Sequence, residues 1–371
     1  MSALRLTYLD WNATAPLLPE VAAAMAATLA ACGNASSVHR WGRASRRAVE
    51  RAREDVAALV GAAAEEVTFT GGGTEANHLA LRGFPGRRII VSAIEHDSVR
   101  AAAPEVELLP VCADGRADLA ALERMLAADP RPALVSLMLA NNETGAIQGV
   151  AAAARIAHAH GALLHTDAVQ AAGKIALDKR SLGADLITLS AHKLGGPQGV
   201  GALVGSPDLP LVPLFAGGQE RGRRAGTENV AGIVGFGVAA RIAAARVGGA
   251  ARMAALRDLA ERRLHAIAPD ASVFANETPR LPNTLCIAMP GVPAATQVMA
   301  LDLAGVMVSA GAACSSGKLR RSPVLTAMGV PDAVADCAIR VSLGPGTVAA
   351  DIDHLVEAWG ALYARTRANA A

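Results

Sequence analysis

Short apolar runs alternate with longer amphipathic stretches through most of the chain. From residue 67 to about residue 205, runs such as VTFT, RRIIV, PALVSLML, ALLHT and ADLITLS are bounded by glycine or polar residues. Runs of that length read as strands buried on both faces, and the stretches between them read as helices. The alternation predicts a mostly parallel sheet wrapped by helices. Ahead of it, RLTYLDWNATA (5–15) reads as an extended lead-in. Pro19 opens an alanine-rich helix ending near Cys32-Gly33, and a helix over 43–60 has charged and apolar faces at helical spacing. After it, a helix running to about residue 266 crosses to a second lobe. That lobe has strands near 272–275 and 283–289, a helix at 294–303, strands at 306–309 and 337–347, and a terminal helix at 349–367. We expect a large domain over 15–255 and a small domain built from 1–14 and 256–371.

Composition narrows the class. The 371 residues suffice for two lobes with substantial cores. Hydrophobic residues make up 52% of the chain, yet no apolar run reads as long enough to span a membrane. The start lacks the basic-then-apolar layout of a signal peptide, so a soluble, cytoplasmic protein is expected, with no membrane partner. A net charge of +2 gives no electrostatic case for nucleic acid. The five cysteines, at 32, 112, 286, 314 and 337, form no CxxC pair, which argues against a disulfide framework or a zinc site.

The candidate chemistry sits where apolar runs end. Asp167 closes one run and Lys193 closes the next, in a Ser-x-His-Lys context. A lysine can form an imine with an aldehyde cofactor and a buried carboxylate can hold a pyridinium nitrogen protonated, as pyridoxal phosphate requires. A surface lysine near a strand-end aspartate is the plainer alternative. The turn TGGGTEAN, with a helix starting at Thr74, suits an anion at a helix N-terminus, or is only a tight turn. The segment RRIIVSAIEHDSV (87–99) reads as a strand ending in Glu95-His96, where His96 is placed to stack on a ring or shuttle protons, or is merely structural. Asn142 lies in a strand-end Asn-rich loop, and Asn34 in a polar loop; both also fit ordinary turns. The Gly/Arg-rich loop before Thr227 fits an anion, a subunit contact or a solvated surface. Cys314 lies among small residues near Lys318, Arg320 and Arg321, and near Arg340 if the fold brings it close, which favours an accessible thiolate. Cys286, within NTLCIAM, suits an apolar filler. Arg340, on an otherwise apolar strand, must be paired by a substrate carboxylate or by a structural Asp or Glu.

Taken together and in order, the segments YLDWNATAP, GNASSVH, TGGGTEAN, EHDSV, NNETG, HTDAVQ, SAHK, GGQERGRRAGTENV, LPNT, AGAACSSG and IRVSLG resemble cysteine desulfurases of the NifS/IscS group. That group belongs to the class V aminotransferase family of fold-type I pyridoxal-phosphate enzymes. The GGQE and RRAGTENV wording resembles the nitrogen-fixation branch more than the housekeeping one. The resemblance implies an α/β large domain with a mostly parallel seven-stranded sheet, a smaller α+β domain and a homodimer. It makes Lys193 the Schiff-base lysine, Asp167 the partner of the pyridine nitrogen and Gln170 a hydrogen-bond partner of the phenolic oxygen. His96 stacks on the ring and takes part in catalysis. Gly73, Thr74, Ser190 and His192 hold the phosphate, and Thr227 reaches across from a second subunit. Asn142, which also touches the cofactor, holds the substrate carboxylate with Arg340 and Asn34. Cys314 takes sulfur from L-cysteine as a persulfide, leaving alanine. Sulfur then passes to an acceptor such as an iron–sulfur scaffold, for cluster assembly, nitrogenase included, or for thiolation. The only metal role implied is for Cys314, as a transient iron–sulfur ligand shared with a scaffold.

Two departures touch the acceptor. KLRRSPVL, after the cysteine, is more basic than the family pattern, and the sequence ends soon after the terminal helix, where some relatives carry a longer tail that helps bind a scaffold. Three other readings compete. An aminotransferase has no use for a mobile thiol, selenocysteine lyase chemistry can proceed without one, and a non-catalytic partner protein would be expected to lose Lys193 or Asp167.

Overall fold

The computed structural model describes residues 5–313 and 319–368. Seven strands form the large sheet: Val67–Thr70 (β1), Arg88–Ser92 (β2), Glu107–Leu109 (β3), Ala133–Ser136 (β4), Leu163–Asp167 (β5), Leu186–Ser190 (β6) and Gly201–Gly205 (β7). Their order is β1-β7-β6-β5-β4-β2-β3. All neighbouring pairs are parallel except those of β7, which runs antiparallel to both β6 and β1. The central strands are apolar on both faces because helices cover both. Ile90, Val135 and Ile187 join a core with Val49 and Val56, whereas Val91, Leu134 and Leu186 join one with Ala76 and Leu79. Adjacent residues enter opposite cores, as the period of two in a strand requires.

The covering helices include Pro19–Ala30 (α1), Arg40–Leu59 (α2), Gly73–Arg82 (α3), Leu119–Ala128 (α4), Val150–Ala159 (α5) and Val230–Arg246 (α6). The expected single helix to residue 266 is two helices. A 3₁₀ turn at Val247–Gly249 separates α6 from Ala250–Ile267 (α7), and the paired glycines there favour a break. Within Val230–Ile267 one window has a mean hydropathy of 1.6, long and apolar enough to cross a membrane, against the sequence expectation. The apolarity serves packing, because Gly235, Phe236, Gly237, Ala239 and Ala240 of α6 are all buried. A Cβ on Gly237 would come within 2.6 Å of the Ala52 Cα, so small residues let α6 lie directly against α2.

The second sheet is antiparallel. It comprises Ser272–Val273 (β8), Thr284–Ala288 (β9), Ser309–Ala310 (β10) and Ala338–Ser342 (β11), in the order β10-β11-β9-β8. One face packs on α7, Ala294–Leu303 (α8) and Ala349–Ala368 (α9), with Trp359 fully buried among them. The other face, including Cys286, Ala288 and Ala338, meets Ile94 and Met138 from the large-sheet side. The N-terminal lead-in runs between the two layers. Thr7–Tyr8 pairs with Val306–Met307, Asp10 bridges to Ser342, and the Ala15 N–H donates to the His192 carbonyl at 2.9 Å. Residues from both layers therefore converge on the ends of β5 and β6.

Candidate active site

A cavity of about 410 Å³ opens at the C-terminal ends of β5 and β6, the place where open α/β sheets take ligands. Asp167 ends β5, and Lys193 ends the 3₁₀ turn that follows β6. Both line the cavity, together with Gly73, Thr74, His96, Asn142, Gln170, Ser190, His192 and Arg340. Residues from positions 73 to 340 thus meet around one space.

The Asp167 carboxylate is fixed by two donors. The Val169 N–H reaches Oδ1 at 2.9 Å, and Asn77 Nδ2 reaches Oδ2 at 2.8 Å. Asn77 also donates to the Ser98 hydroxyl at 2.9 Å, and that hydroxyl lies 2.8 Å from His96 Nδ1. The Ser98 N–H donates to the same Nδ1 at 3.1 Å, which makes that nitrogen an acceptor and fixes the ring. His96 does not end a strand as the sequence suggested; β2 stops at Ser92, and His96 caps the short helix Asp97–Arg100.

Lys193 Nζ donates to the carbonyls of Asn12 and Ala13 at 2.7 and 2.6 Å. Burial and the Arg340 guanidinium lower its pKa to about 8, partly offset by Asp167. An amine near that value can be neutral at working pH and serve as a base. His192 is held neutral, lowered to about 4 by burial and by Lys193. Glu95, buried beneath the cavity, is raised to about 8 by burial. Its Oε1 accepts from the Ser92 hydroxyl and the Met138 N–H, while Oε2 has no partner.

Arg340 is paired within the protein. Nη2 donates to Asp10 Oδ1 at 2.7 Å and Nη1 to the Asn142 carbonyl at 3.1 Å, while Nε is buried without a partner. Of the two pairings the sequence left open, the structural carboxylate is present, and Arg340 also lines the cavity.

The donor set fits pyridoxal phosphate. The α3 N-terminus presents N–H groups beside Ser190, suited to a phosphate. Gly72, at φ 153° and ψ 175°, occupies a backbone region essentially restricted to glycine. A Cβ on Gly73 would stand 3.2 Å from Val169 Cγ2 and 3.3 Å from Ser190 Cβ, so any larger residue there would have to displace the cradle's side chains slightly.

Three expected site residues are not in this set. Asn34 is exposed outside the cavity, where its Oδ1 accepts from the Ser36 N–H at 2.8 Å. Thr227 is exposed on the loop before α6 and does not line the cavity of its own chain. Cys314 lies outside the described residues, as does Lys318; the cavity wall includes Gly311, three residues before the cysteine. Of the cations expected near the thiol, Arg321 is committed to Asp336 at 2.8 Å and to Asp332, whereas Arg340 does reach the cavity wall. Cys286 is buried opposite Arg340 in the β9–β11 pairing, and burial pushes its thiol pKa up. Among the described residues, no three His, Cys, Asp or Glu side chains converge as a metal site.

Sequence reasoning missed Asp10, Asn12, Asn77, Glu95 and Lys174. Asn77 carried a signal, since it follows Gly73 by four residues and so shares its face of α3. Asn12 carried a signal only as a member of the YLDWNATAP segment, because its partners lie more than a hundred positions away.

The class-V aminotransferase family model matches residues 7–355. A cysteine desulfurase of Cereibacter sphaeroides is 48% identical over 94% of this chain and 94% of its own. Cysteine desulfurase IscS of Dictyoglomus turgidum is 40% identical over 95% of this chain and 93% of its own. Among solved structures, a NifS-like protein from Rickettsia africae superposes with a TM-score of 0.91 at 35% identity, covering 97% of this chain and 99% of that one.

Proposed function

The chain belongs to the class-V aminotransferase family, and we propose that it is a pyridoxal-phosphate-dependent cysteine desulfurase, converting L-cysteine to L-alanine with the sulfur taken up on Cys314. The observation that carries this reading is that Asp167, at the end of β5, and Lys193, on the turn after the neighbouring β6, line one cavity together with Arg340. When bound, the cofactor supplies an electron sink for the bond-breaking steps at the substrate. Gly73, Thr74, Ser190 and His192 hold its phosphate, Asp167 its ring nitrogen, Gln170 its phenolic oxygen and His96 its ring face.

The protein's own groups do the rest. Arg340 and Asn142 orient the α-carboxylate of cysteine, with Asn34 assigned to the same task. The neutral Lys193 amine accepts the Cα proton and returns a proton later. The Cys314 thiolate attacks the substrate sulfur, so that an S–S bond forms as the substrate C–S bond breaks, and the three-carbon fragment leaves as alanine once protonated. In this reading residues 15–255 form the cofactor-holding domain, and 1–14 with 256–371 the smaller domain that carries the cysteine. The enzyme works as a cytoplasmic homodimer in which Thr227 of one subunit reaches the cofactor phosphate of the other. The persulfide passes to an acceptor protein for iron–sulfur assembly, with nitrogenase cluster assembly or thiolation as its destination.

The test uses purified protein loaded with cofactor. Wild type is yellow and releases alanine from cysteine; Lys193→Ala loses the covalently held colour; Cys314→Ala keeps the colour and loses sulfur transfer. Alanine release untouched by Cys314→Ala refutes the persulfide step, and keto-acid formation in place of alanine identifies a transaminase.

A further inference from the structure

Lys174, which the mechanism above does not use, stands behind Gln170 at the wall between the active-site cavity and a second one. That second cavity, of about 660 Å³, is lined by Trp11, Leu18, Lys174, Lys193, Met253 and Gly344 among others. Lys174 Nζ is 2.8 Å from Gln170 Oε1 and 2.8 Å from Asn12 Oδ1. We propose that Lys174 is a positioning residue that locks the Gln170 amide with its N–H edge toward the active-site cavity, so that this wall can only donate to the cofactor's phenolic oxygen. The inference rests on the desulfurase reading and assigns that site a residue outside the cofactor's contacts.

The hydrogen-bond directions follow from groups that cannot reverse. Asn283 Nδ2 donates to the Leu343 carbonyl at 3.0 Å, and a carbonyl only accepts. Asn283 Oδ1 therefore receives the Thr284 hydroxyl at 3.0 Å, and that hydroxyl accepts from Asn12 Nδ2 at 2.9 Å. Asn12 Nδ2 also donates to the Asn142 carbonyl at 3.2 Å, so its Oδ1 must face Asn283 Nδ2 and Lys174. On the other side, Gln170 Nε2 donates to the Asn12 carbonyl at 2.9 Å, which leaves Oε1 for Lys174 and one N–H for the cavity. A lysine amine satisfies both oxygens whether charged or neutral, since either form has at least two N–H groups. Burial, Lys193 and Arg340 hold the Lys174 pKa well below the usual lysine range, and the assignment does not depend on its charge.

Without Lys174, Gln170 Oε1 has no donor, and the Nε2 bond to the Asn12 carbonyl alone holds the amide. A bound cofactor's phenolic oxygen would then face a less firmly held donor and would be more basic, so the bound cofactor would give up its proton at higher pH. In holoenzyme, Lys174→Met is expected to move the midpoint of the visible absorbance titration upward by about one pH unit. The same change is expected to lower kcat about fivefold with the KM for cysteine within about twofold. Lys174→Arg, which keeps the donors and has the second cavity to extend into, is expected to keep the wild-type midpoint. A Lys174→Met enzyme that melts at a lower temperature but titrates and turns over like wild type overturns the proposal, as does a Lys174→Arg midpoint displaced as far as that of Lys174→Met. Wild-type protein that takes up no pyridoxal phosphate overturns the desulfurase reading and this one together; uptake with an unmoved Lys174→Met titration overturns this one alone.

Discussion

Arg340 and Asp10 form an ion pair of 2.7 Å in the wall of the active-site cavity, joining the apolar strand β11 to the N-terminal lead-in. Asp10 and the Asn142 carbonyl take one donor from each terminal nitrogen and hold the guanidinium plane in the cavity wall. Because Asp10 offsets the charge, the site suits a single α-carboxylate better than a dianion.

Arg340→Lys keeps the charge but loses the planar fork. The loss of one charge-assisted hydrogen bond, about 2 kcal/mol, corresponds to a rise in the KM for cysteine of roughly thirtyfold, with a smaller effect on kcat. Steady-state alanine release checks it; an unchanged KM would show that the carboxylate binds elsewhere.

Glu95 and Lys193 give opposite pH dependences. The Glu95 carboxyl titrates near 8 when folded against an ordinary 4.5, so the folded state binds more protons between those values and stability falls as pH rises from 4.5 through 8. Lys193 titrates near 8 against an ordinary 10.5, so its burial costs the cofactor-free protein most below pH 8, and stability is regained between 8 and 10.5. Glu95→Gln removes only the first effect. Thermal melts of cofactor-free protein are expected to show the variant gaining on wild type from pH 5 to pH 9; a gap constant with pH contradicts a buried, titrating Glu95.

Gly201 lies on β7 against the turn that opens α3. A Cβ there would come within 2.5 Å of the Gly72 carbonyl carbon and 2.8 Å of the Gly73 nitrogen. Gly201→Ala must push the anion-binding turn outward, at a cost of about 1–3 kcal/mol. We expect cofactor affinity to fall about tenfold, read by equilibrium titration of absorbance, with the melting point of the cofactor-free protein lowered less.

Arg53 and Glu220 make a buried two-pronged pair at 2.7 and 2.8 Å, and Glu220 also accepts the Phe69 N–H at 2.8 Å. The pair pins the Gly/Arg-rich loop, whose Glu220 and Arg221 adopt positive φ of 44° and 56°, to α2, and the Phe69 N–H ties it to β1. Arg53→Met leaves a buried carboxylate without its cation and is expected to cost about 3 kcal/mol in urea unfolding. Replacing both partners, Arg53→Met with Glu220→Met, is expected to recover part of that loss; no recovery would mean that the loop depends on Glu220 through the Phe69 N–H alone.

The sequence by itself determined the succession of strands and helices, the two-layered division and the identity of Lys193, Asp167 and Arg340 as groups to watch; Gln170 came only from the family resemblance. Those are local properties, set by periodicity and by polar residues at the ends of apolar runs. Tertiary structure decided who partners whom: Asp10 for Arg340, Asn77 for Asp167, and Asn12 with Lys174 behind Gln170. It also spent Arg321 on Asp332 and Asp336, and left Asn34 and Thr227 outside the cavity of their own chain. A hydrogen bond between residues 12 and 283 leaves no mark on either neighbourhood in sequence. Its direction depends on distances of a few ångströms that exist only once the lead-in has been laid between the two sheets.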